Sequence, residues 1–462
     1  MADELWKKSA TDLAELIKTK QISSREVIES HLARIEAVND KVNAITVVLA
    51  DSALEAADMA DKTEPTGPLH GVPFTIKENI DCVGSATTQG VPLLAESMPT
   101  MDAPVVERMK KAGAIPLART NLPEFGLRID TENPLRGRTL NPWDAKRTAG
   151  GSSGGEAAAL ATGMSPIGLG NDIGGSVRNP AFCCGVTSLK PSAGRVPHAS
   201  SIPPEDAGLA AQIMAVEGPM ARHVKDVKLA YEVLSGRHPR DPVTVDVPLS
   251  GPEPANKKVA VVTEISGIEV SSSAIMAVKE AAKALKDAGW EIVETQPPEL
   301  EQVNEIWAFI LAMDFSPLLP ELSAVMSPPP IELLKLLFAR NDPNSVRLPD
   351  IHSERNRLCR LWSEFFAEYP MMIGPTWTDI QFLHNADLDG QIGLELMSDR
   401  LCFITPANVL GIPSAAVPTG VIDGLPTGVQ VYADKWREDL SLTGAEIIEE
   451  ALGQICPIDP VF

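Results

Sequence analysis

Positive charge is scarce in this chain of 462 residues. Its 40 lysines and arginines face 62 aspartates and glutamates, a formal net charge of −22 at pH 7. A surface of that sign repels phosphate backbones and anionic membranes, which argues against nucleic-acid binding through a broad basic face. Cysteine is also sparse. The six, at positions 82, 183, 184, 359, 402 and 456, form no CxxC pair and no regular framework. Reduced thiols are therefore expected, with the adjacent Cys183 and Cys184 buried in an apolar stretch. The seven histidines are scattered without HExxH spacing, so no metal site is expected. No apolar run approaches the ~20 residues that span a bilayer. Residues Met1 to Lys8 lack the basic and apolar regions of a signal peptide. The expectation is an acidic cytoplasmic protein that engages neither nucleic acid nor membrane. Nucleotide-binding motifs are missing as well. Gly168-x-Gly170 is followed by Ile173 where the dinucleotide fingerprint requires glycine, and no GxxxxGK[ST] occurs. There is no internal repeat and no low-complexity tail.

What is present is an ordinary globular composition, 44% hydrophobic, enough for a sizeable core. Length alone allows about two or three domains. The first 60 residues read as helical: Ser23-x-x-Glu26 is a capping box, and Ile28, Leu32 and Ile35 recur on one face. Val72 to Ile76 reads as a strand after a glycine-proline turn, with Thr75 and Lys77 opposite Phe74 and Ile76. Helix and strand patterns then alternate: a helix over 105–113, a strand over 114–118, a helix over 156–161, and a strand from Ser165 to Leu169. Residues 239–258 read as a surface connection. They are followed by a strand at 259–262, a helix at 274–288 and a strand at 290–293. This alternation points to an α/β layered fold. From about 300 to 370 apolar helices separated by prolines read as a helical insertion or lid, not an independent domain. Its Ile331 to Phe338 helix is expected to be core, with a pocket wall or an oligomer contact as the alternatives.

The chemistry concentrates in two glycine-flanked serine loops, Gly150-Gly151-Ser152-Ser153-Gly154-Gly155 and Asp172-Ile173-Gly174-Gly175-Ser176. A nucleophilic serine needs a base, a proton route and donors for a developing oxyanion. Lys77, the candidate serines and consecutive glycine amides supply all three without histidine. Glycine lets the backbone adopt positive φ and approach a ligand closely, so the amides of Ile173, Gly174, Gly175 and Ser176 can converge on an anion. Each such donor is worth about 3 kcal/mol of barrier. Gly151-x-Ser153-x-Gly155 also satisfies the nucleophile-elbow pattern. That elbow needs a preceding strand, and Trp143 to Ala149 reads as polar and turn-like. Taken singly, Lys77 reads as a surface lysine at a strand end, and Ser152 and Ser153 as turn residues. Their joint pattern reverses both readings.

That pattern resembles the amidase signature family, which includes bacterial amidases, fatty acid amide hydrolase and the A subunit of glutamyl-tRNA amidotransferase. Gly150 through Ala159 is similar to its GGSSGGxAAA segment, and Gly170 through Arg178 to its G-[TS]-D-x-G-G-S-[IV]-R segment. Gly71-Val72-Pro73 leading to Lys77-Glu78-Asn79 resembles its lysine motif. Pro406-Ala407-Asn408, Gly411-Ile412-Pro413 and Gly424 to Gln430 resemble its C-terminal motif. The resemblance runs from about residue 5 to residue 450. It implies one amidase domain over 1–462 with a signature core at about 65–200, built as one large mixed twisted sheet sandwiched between helix layers. It implies Ser176 as nucleophile, Ser152 as bridging serine after a cis peptide, Lys77 as base, and the amides of Ile173 to Ser176 as oxyanion hole. Ser153, Asp172 and Arg178 take supporting roles, the last two as a structural pair.

The implied reaction is hydrolysis of a carboxamide to carboxylate plus ammonia or amine through an acyl-enzyme, with no cofactor and no metal. Arg128, Ile129, Asp130 and Asn171 are the candidate substrate contacts. Arg128 and Asp130 stand where the family often has small residues, and Asn171 where it has Thr or Ser. A surface location is the simpler reading of Arg128, and binding of a substrate carboxylate is the functional one. Aryl or alkyl amides are expected because the 300–340 segment, with Trp307, Phe309, Met313 and Phe315, is apolar. The alternative is the glutamine-hydrolysing component of an amidotransferase. Against it, Ala215-Val216-Glu217-Gly218-Pro219 lacks the Ser-Leu-Asp-Gln run expected before Gly-Pro. A catalytically silent binding protein is a further alternative, and a homodimer is the base-rate expectation for assembly.

Overall fold

A single wide sheet organises the chain. The computed structural model describes residues 2–202, 205–206 and 208–462. In chain order the strands are β1 (Ile45–Val48), β2 (Pro73–Lys77), β3 (Ile115–Thr120), β4 (Ile167–Asp172), β5 (Thr187–Lys190) and β6 (Val216–Ala221). They continue with β7 (Lys258–Val261), β8 (Glu291–Glu294), β9 (Met371–Pro375), β10 (Ser414–Ile422) and β11 (Leu425–Tyr432). The eleven strands lie in the order β1-β3-β2-β4-β6-β5-β10-β11-β9-β7-β8. Pairing is mixed: β2 runs parallel to β3 and β4, whereas β6 is antiparallel to β4 and β5. The β10–β11 hairpin turns through Asp423 and Gly424, both at positive φ, as a two-residue turn between right-twisted strands requires.

Alternation along the strands separates two cores. Phe74 and Ile76 pack with Val105, Val106 and Met109 on one side. Ala157 to Ala161 pack with Ile35, Val38 and Leu117 on the other. The alanine-rich helix Gly154–Ala161 is wholly buried, its small side chains allowing close approach to the sheet. The predicted capping box forms: Glu26 N–H donates to Ser23 Oγ at 3.1 Å and Ser23 N–H to Glu26 Oε2 at 2.7 Å.

Two expectations are corrected. Asp144–Thr148 is a short strand, paired with Leu140–Asn141 in a hairpin outside the main sheet. The cross-strand partner supplies the order that local polarity did not signal. The stretch Leu300–Val325 is apolar and long enough to cross a membrane, which scattered Glu301, Glu305, Asp314 and Glu321 conceal from a search for unbroken runs. A turn at Ser316–Leu318 divides it into the helices Leu300–Phe315 and Leu319–Val325. Val303, Ile306, Trp307 and Ile310 join a core with Ala260, Met372 and Tyr432 of the sheet. The helices Pro328–Arg340 and Leu348–Glu368 follow, each opening on proline in its first turn, where a missing N–H costs nothing.

Candidate active site

Lys77 ends β2 with its side chain fully buried. Its Nζ donates to Ser152 Oγ at 2.6 Å and to Asn171 Oδ1 at 2.7 Å. Burial pushes the ammonium down to about 7, against the opposing pull of Glu217, Asp172 and Glu156. Asn171 is held in turn by donating to Asn79 Oδ1 at 3.0 Å. Asn171, a candidate substrate contact from sequence, thus holds the lysine through its Oδ1.

Ser152 follows a cis peptide from Gly151. A Cβ on Gly151 would come within 2.6 Å of the Arg128 carbonyl oxygen, so glycine there is a requirement of packing. Ser153 N–H donates to the Ser176 carbonyl at 3.1 Å, tying the two serine loops together. Ser153 Oγ is buried and has no partner among the described residues.

Asp172 shapes the second loop. Its carboxylate accepts from Gly175 N–H at 2.7 Å and Val177 N–H at 3.3 Å, and from Arg178 Nε at 3.1 Å. Arg178 also donates to Asn408 Oδ1 at 2.7 Å, Gln430 Oε1 at 3.0 Å and the Ile404 carbonyl at 2.7 Å. The Asp172 carboxyl is held well below the usual range despite burial, chiefly by the Arg178 charge. Gly175 sits at φ +104°, with Ile404 filling the space a Cβ would need. One expectation changes here. The Gly175 amide is committed to Asp172, which leaves Ile173, Gly174 and Ser176 as backbone donors open to a ligand. Ser176 is 9% exposed, and its Oγ has no hydrogen-bond partner among the described residues.

Ser176, Ile173 and Gly174 open on a cavity of about 100 Å³ walled by Leu127, Ile129, Leu311, Phe315, Leu334 and Phe338. Trp307 stands over the loop: its Nε1–H donates to the Ile173 carbonyl at 3.0 Å, and its ring packs on Gly174. The Ile331 to Phe338 helix is thus both core and wall: Ile331 packs with Met326 while Leu334 and Phe338 face the cavity.

Arg128 borders the same cavity but is neither on the surface nor free. Asp387 takes its guanidinium in two bonds of 2.9 and 2.8 Å, and Asn385 Oδ1 accepts at 2.9 Å. Asp130 is likewise internal, accepting from Thr148 Oγ1 at 2.7 Å and Asn385 N–H at 3.0 Å. Both hold loops. Of the substrate contacts expected from sequence, Ile129 alone presents an apolar side chain to the cavity. Reading the residues one by one passed over Asn79, Asn408 and Gln430, although each lay within a quoted motif. Glu156 was passed over likewise within the quoted Gly150–Ala159 segment, and nothing local marked Asp387 or the pairing of His198 with Glu217.

The fold and the site define an amide hydrolase. The chain belongs to the amidase family: the family model described as amidase matches residues 26–442. It is 39% identical over 465 residues to an indoleacetamide hydrolase of Bradyrhizobium diazoefficiens, covering 97% of this chain and 87% of that one. It is 31% identical to the A subunit of the glutamyl-tRNA(Gln) amidotransferase of Moorella thermoacetica, covering 97% of both. Among solved structures, 6-aminohexanoate cyclic dimer hydrolase superposes with a TM-score of 0.85 at 28% identity, covering 99% of each chain.

Proposed function

We propose that this amidase hydrolyses carboxamides of apolar aryl or alkyl acids, giving the carboxylate plus ammonia or amine through an acyl-enzyme on Ser176. The observation that carries the reading is the buried Lys77–Ser152 hydrogen bond of 2.6 Å beside a serine that opens on an apolar cavity. Neutral Lys77 accepts the Ser152 proton as Ser152 accepts that of Ser176, and Ser176 Oγ attacks the carbonyl carbon. The Ile173, Gly174 and Ser176 amides meet the oxyanion. Ser152 passes a proton to the leaving nitrogen, the C–N bond breaks, and water cleaves the ester by the same route in reverse. An apolar acyl group suits walls of leucine, isoleucine and phenylalanine, and Arg128 is already neutralised. The similarity to indoleacetamide hydrolase agrees with an arylacetamide as substrate.

The test is a panel of indole-3-acetamide, phenylacetamide, hexanamide and glutamine with the purified chain. Turnover of the apolar amides, lost in Ser176→Ala by a factor of about 10³ or more, is expected. Glutamine as the sole substrate would overturn the reading in favour of the amidotransferase one.

A further inference from the structure

The carbonyls of the nucleophile loop are pinned one by one, most of them by residues in or beside the family motifs. The Asp172 carbonyl accepts from Asn408 Nδ2 at 3.1 Å, that of Gly175 from Asn179 N–H at 2.7 Å, and that of Ser176 from Ser153 N–H at 3.1 Å. The Ile173 carbonyl is held from elsewhere. Among the described residues only Trp307 of the Leu300–Phe315 helix donates to it, through Nε1–H at 3.0 Å. That helix is itself fixed. Asn304, one turn earlier, donates to the Cys402 carbonyl at 2.9 Å and accepts from Thr405 Oγ1, while Ile306 and Ile310 are buried in the core. The Trp307 ring lies so close to Gly174 that a Cβ there would come within 2.6 Å of it. Glycine is thus required at 174, and glycine accepts backbone angles of either sign. The packing that brings in the ring also gives up the conformational control that a side chain would supply.

We propose that Trp307 is a positioning residue for the oxyanion hole: its indole N–H fixes the Ile173–Gly174 peptide so that the Gly174 N–H meets the oxygen that turns negative when Ser176 attacks. The inference rests on the acyl-enzyme role proposed for Ser176. The peptide is trans and planar, so its C=O and N–H point in opposite directions. Holding the carbonyl on Trp307 therefore sets the direction of the Gly174 amide, one of the three left open beside Ser176. Released from the indole, the peptide is free to turn over at its glycine end. It then offers its own carbonyl oxygen, whose negative partial charge repels an oxyanion, in place of a donor. The apolar helical segment thereby serves the chemistry as well as walling the cavity, and Trp307 does both.

The experiment compares two ligands of nearly the same shape. Benzyl trifluoromethyl ketone adds reversibly to Ser176: Oγ bonds to the carbonyl carbon, the hydroxyl proton passes through Ser152 to Lys77, and the ketone oxygen becomes the oxyanion. The corresponding alcohol fits the same cavity and forms no adduct. The wild type is expected to bind the ketone much more tightly than the alcohol. Trp307→Phe keeps an aromatic ring near Gly174 and removes the N–H. It is expected to weaken the ketone about tenfold and leave the alcohol unchanged, less than the factor of about 10² to 10³ for a donor deleted outright, because a freed peptide keeps its donor in place part of the time. Benzothienylalanine at position 307 retains both rings and exchanges the N–H for sulfur. It is expected to show the same loss, and it serves if the phenylalanine variant does not fold. Equal weakening of ketone and alcohol, the mark of a wall or a damaged site, overturns the proposal, as does ketone binding left at the wild-type value. If the wild type neither prefers the ketone nor takes a fluorophosphonate on Ser176, the acyl-enzyme reading falls and this inference with it; if it does both and the variants keep the full preference, only the inference falls.

Discussion

At the scale of single residues, the site keeps an unfavourable group, the one to which the proposed reaction gives the role of base. A lysine with no surface exposure is depressed from 10.5 to about 7 by desolvation. Between those values the unfolded chain binds a proton that the native site does not, so stability rises with pH across that window. Below about 7 the cost of burial is present in full. Lys77→Met is therefore expected to unfold at a higher temperature than the wild type at pH 6–7, by an amount worth a few kcal/mol. The gap should close as the pH nears 10.5, and the variant should be inactive throughout. Thermal melts over that range check this; a variant less stable at pH 6 would mean that its bonds to Ser152 and Asn171 outweigh desolvation. The sequence placed Lys77 in the site by its motif. It did not reveal how Arg128 is used, because the partner Asp387 lies 259 positions away with no local signal.

At the scale of elements, the apolar cavity beside Ser176 is made by helices that come late in the chain and fold over loops that come early. Glu124, just after β3, accepts from Ser327 N–H at 2.9 Å and fixes the start of the Pro328–Arg340 helix. That helix then presents Leu334 and Phe338 to Ser176. Phe338→Ala is expected to raise KM for an apolar amide about tenfold with kcat little changed, since the ring supplies binding common to ground and transition states. Steady-state kinetics on indole-3-acetamide measure this, and a fall in kcat alone would show that the helix acts on the chemistry. Most strands and the helices flanking the serine loops were legible because local period and punctuation agree with the tertiary fold. The Ile331 to Phe338 helix was legible as a helix and as core, but its second role as a cavity wall was not settled, because an apolar stripe looks the same whether it meets a core or a cavity. The strand at Asp144–Thr148 escaped for a related reason: its order comes from a partner strand, and its own residues are polar.

At the scale of the whole molecule, the order of strands in space departs from their order in sequence in a way that binds the two ends together. The β10–β11 hairpin separates β5 from β9, so the two strands beside the central β5 on that side are the last of the sheet to be synthesised. Asn408 and Gln430 reach from that late region to Arg178, and through it to Asp172 and the nucleophile loop. A chain ending at residue 250 retains Lys77, Ser152 and Ser176 yet is expected to lack cooperative melting and amidase activity. Circular dichroism and fluorophosphonate labelling of that fragment decide the matter, and a labelled, cooperatively folded fragment would refute the dependence.

The ion pair between Arg128 and Asp387 has a consequence for the end of the catalytic cycle. Hydrolysis turns a neutral amide into an anion inside a chamber whose walls are hydrocarbon. The single guanidinium at its border is already satisfied by two carboxylate contacts. Among the described residues lining the chamber no other cation stands to retain the acid product, and the chain as a whole carries a net charge of −22. Expulsion of product is thus built into the electrostatics of the chamber, and accumulating acid competes poorly with fresh amide.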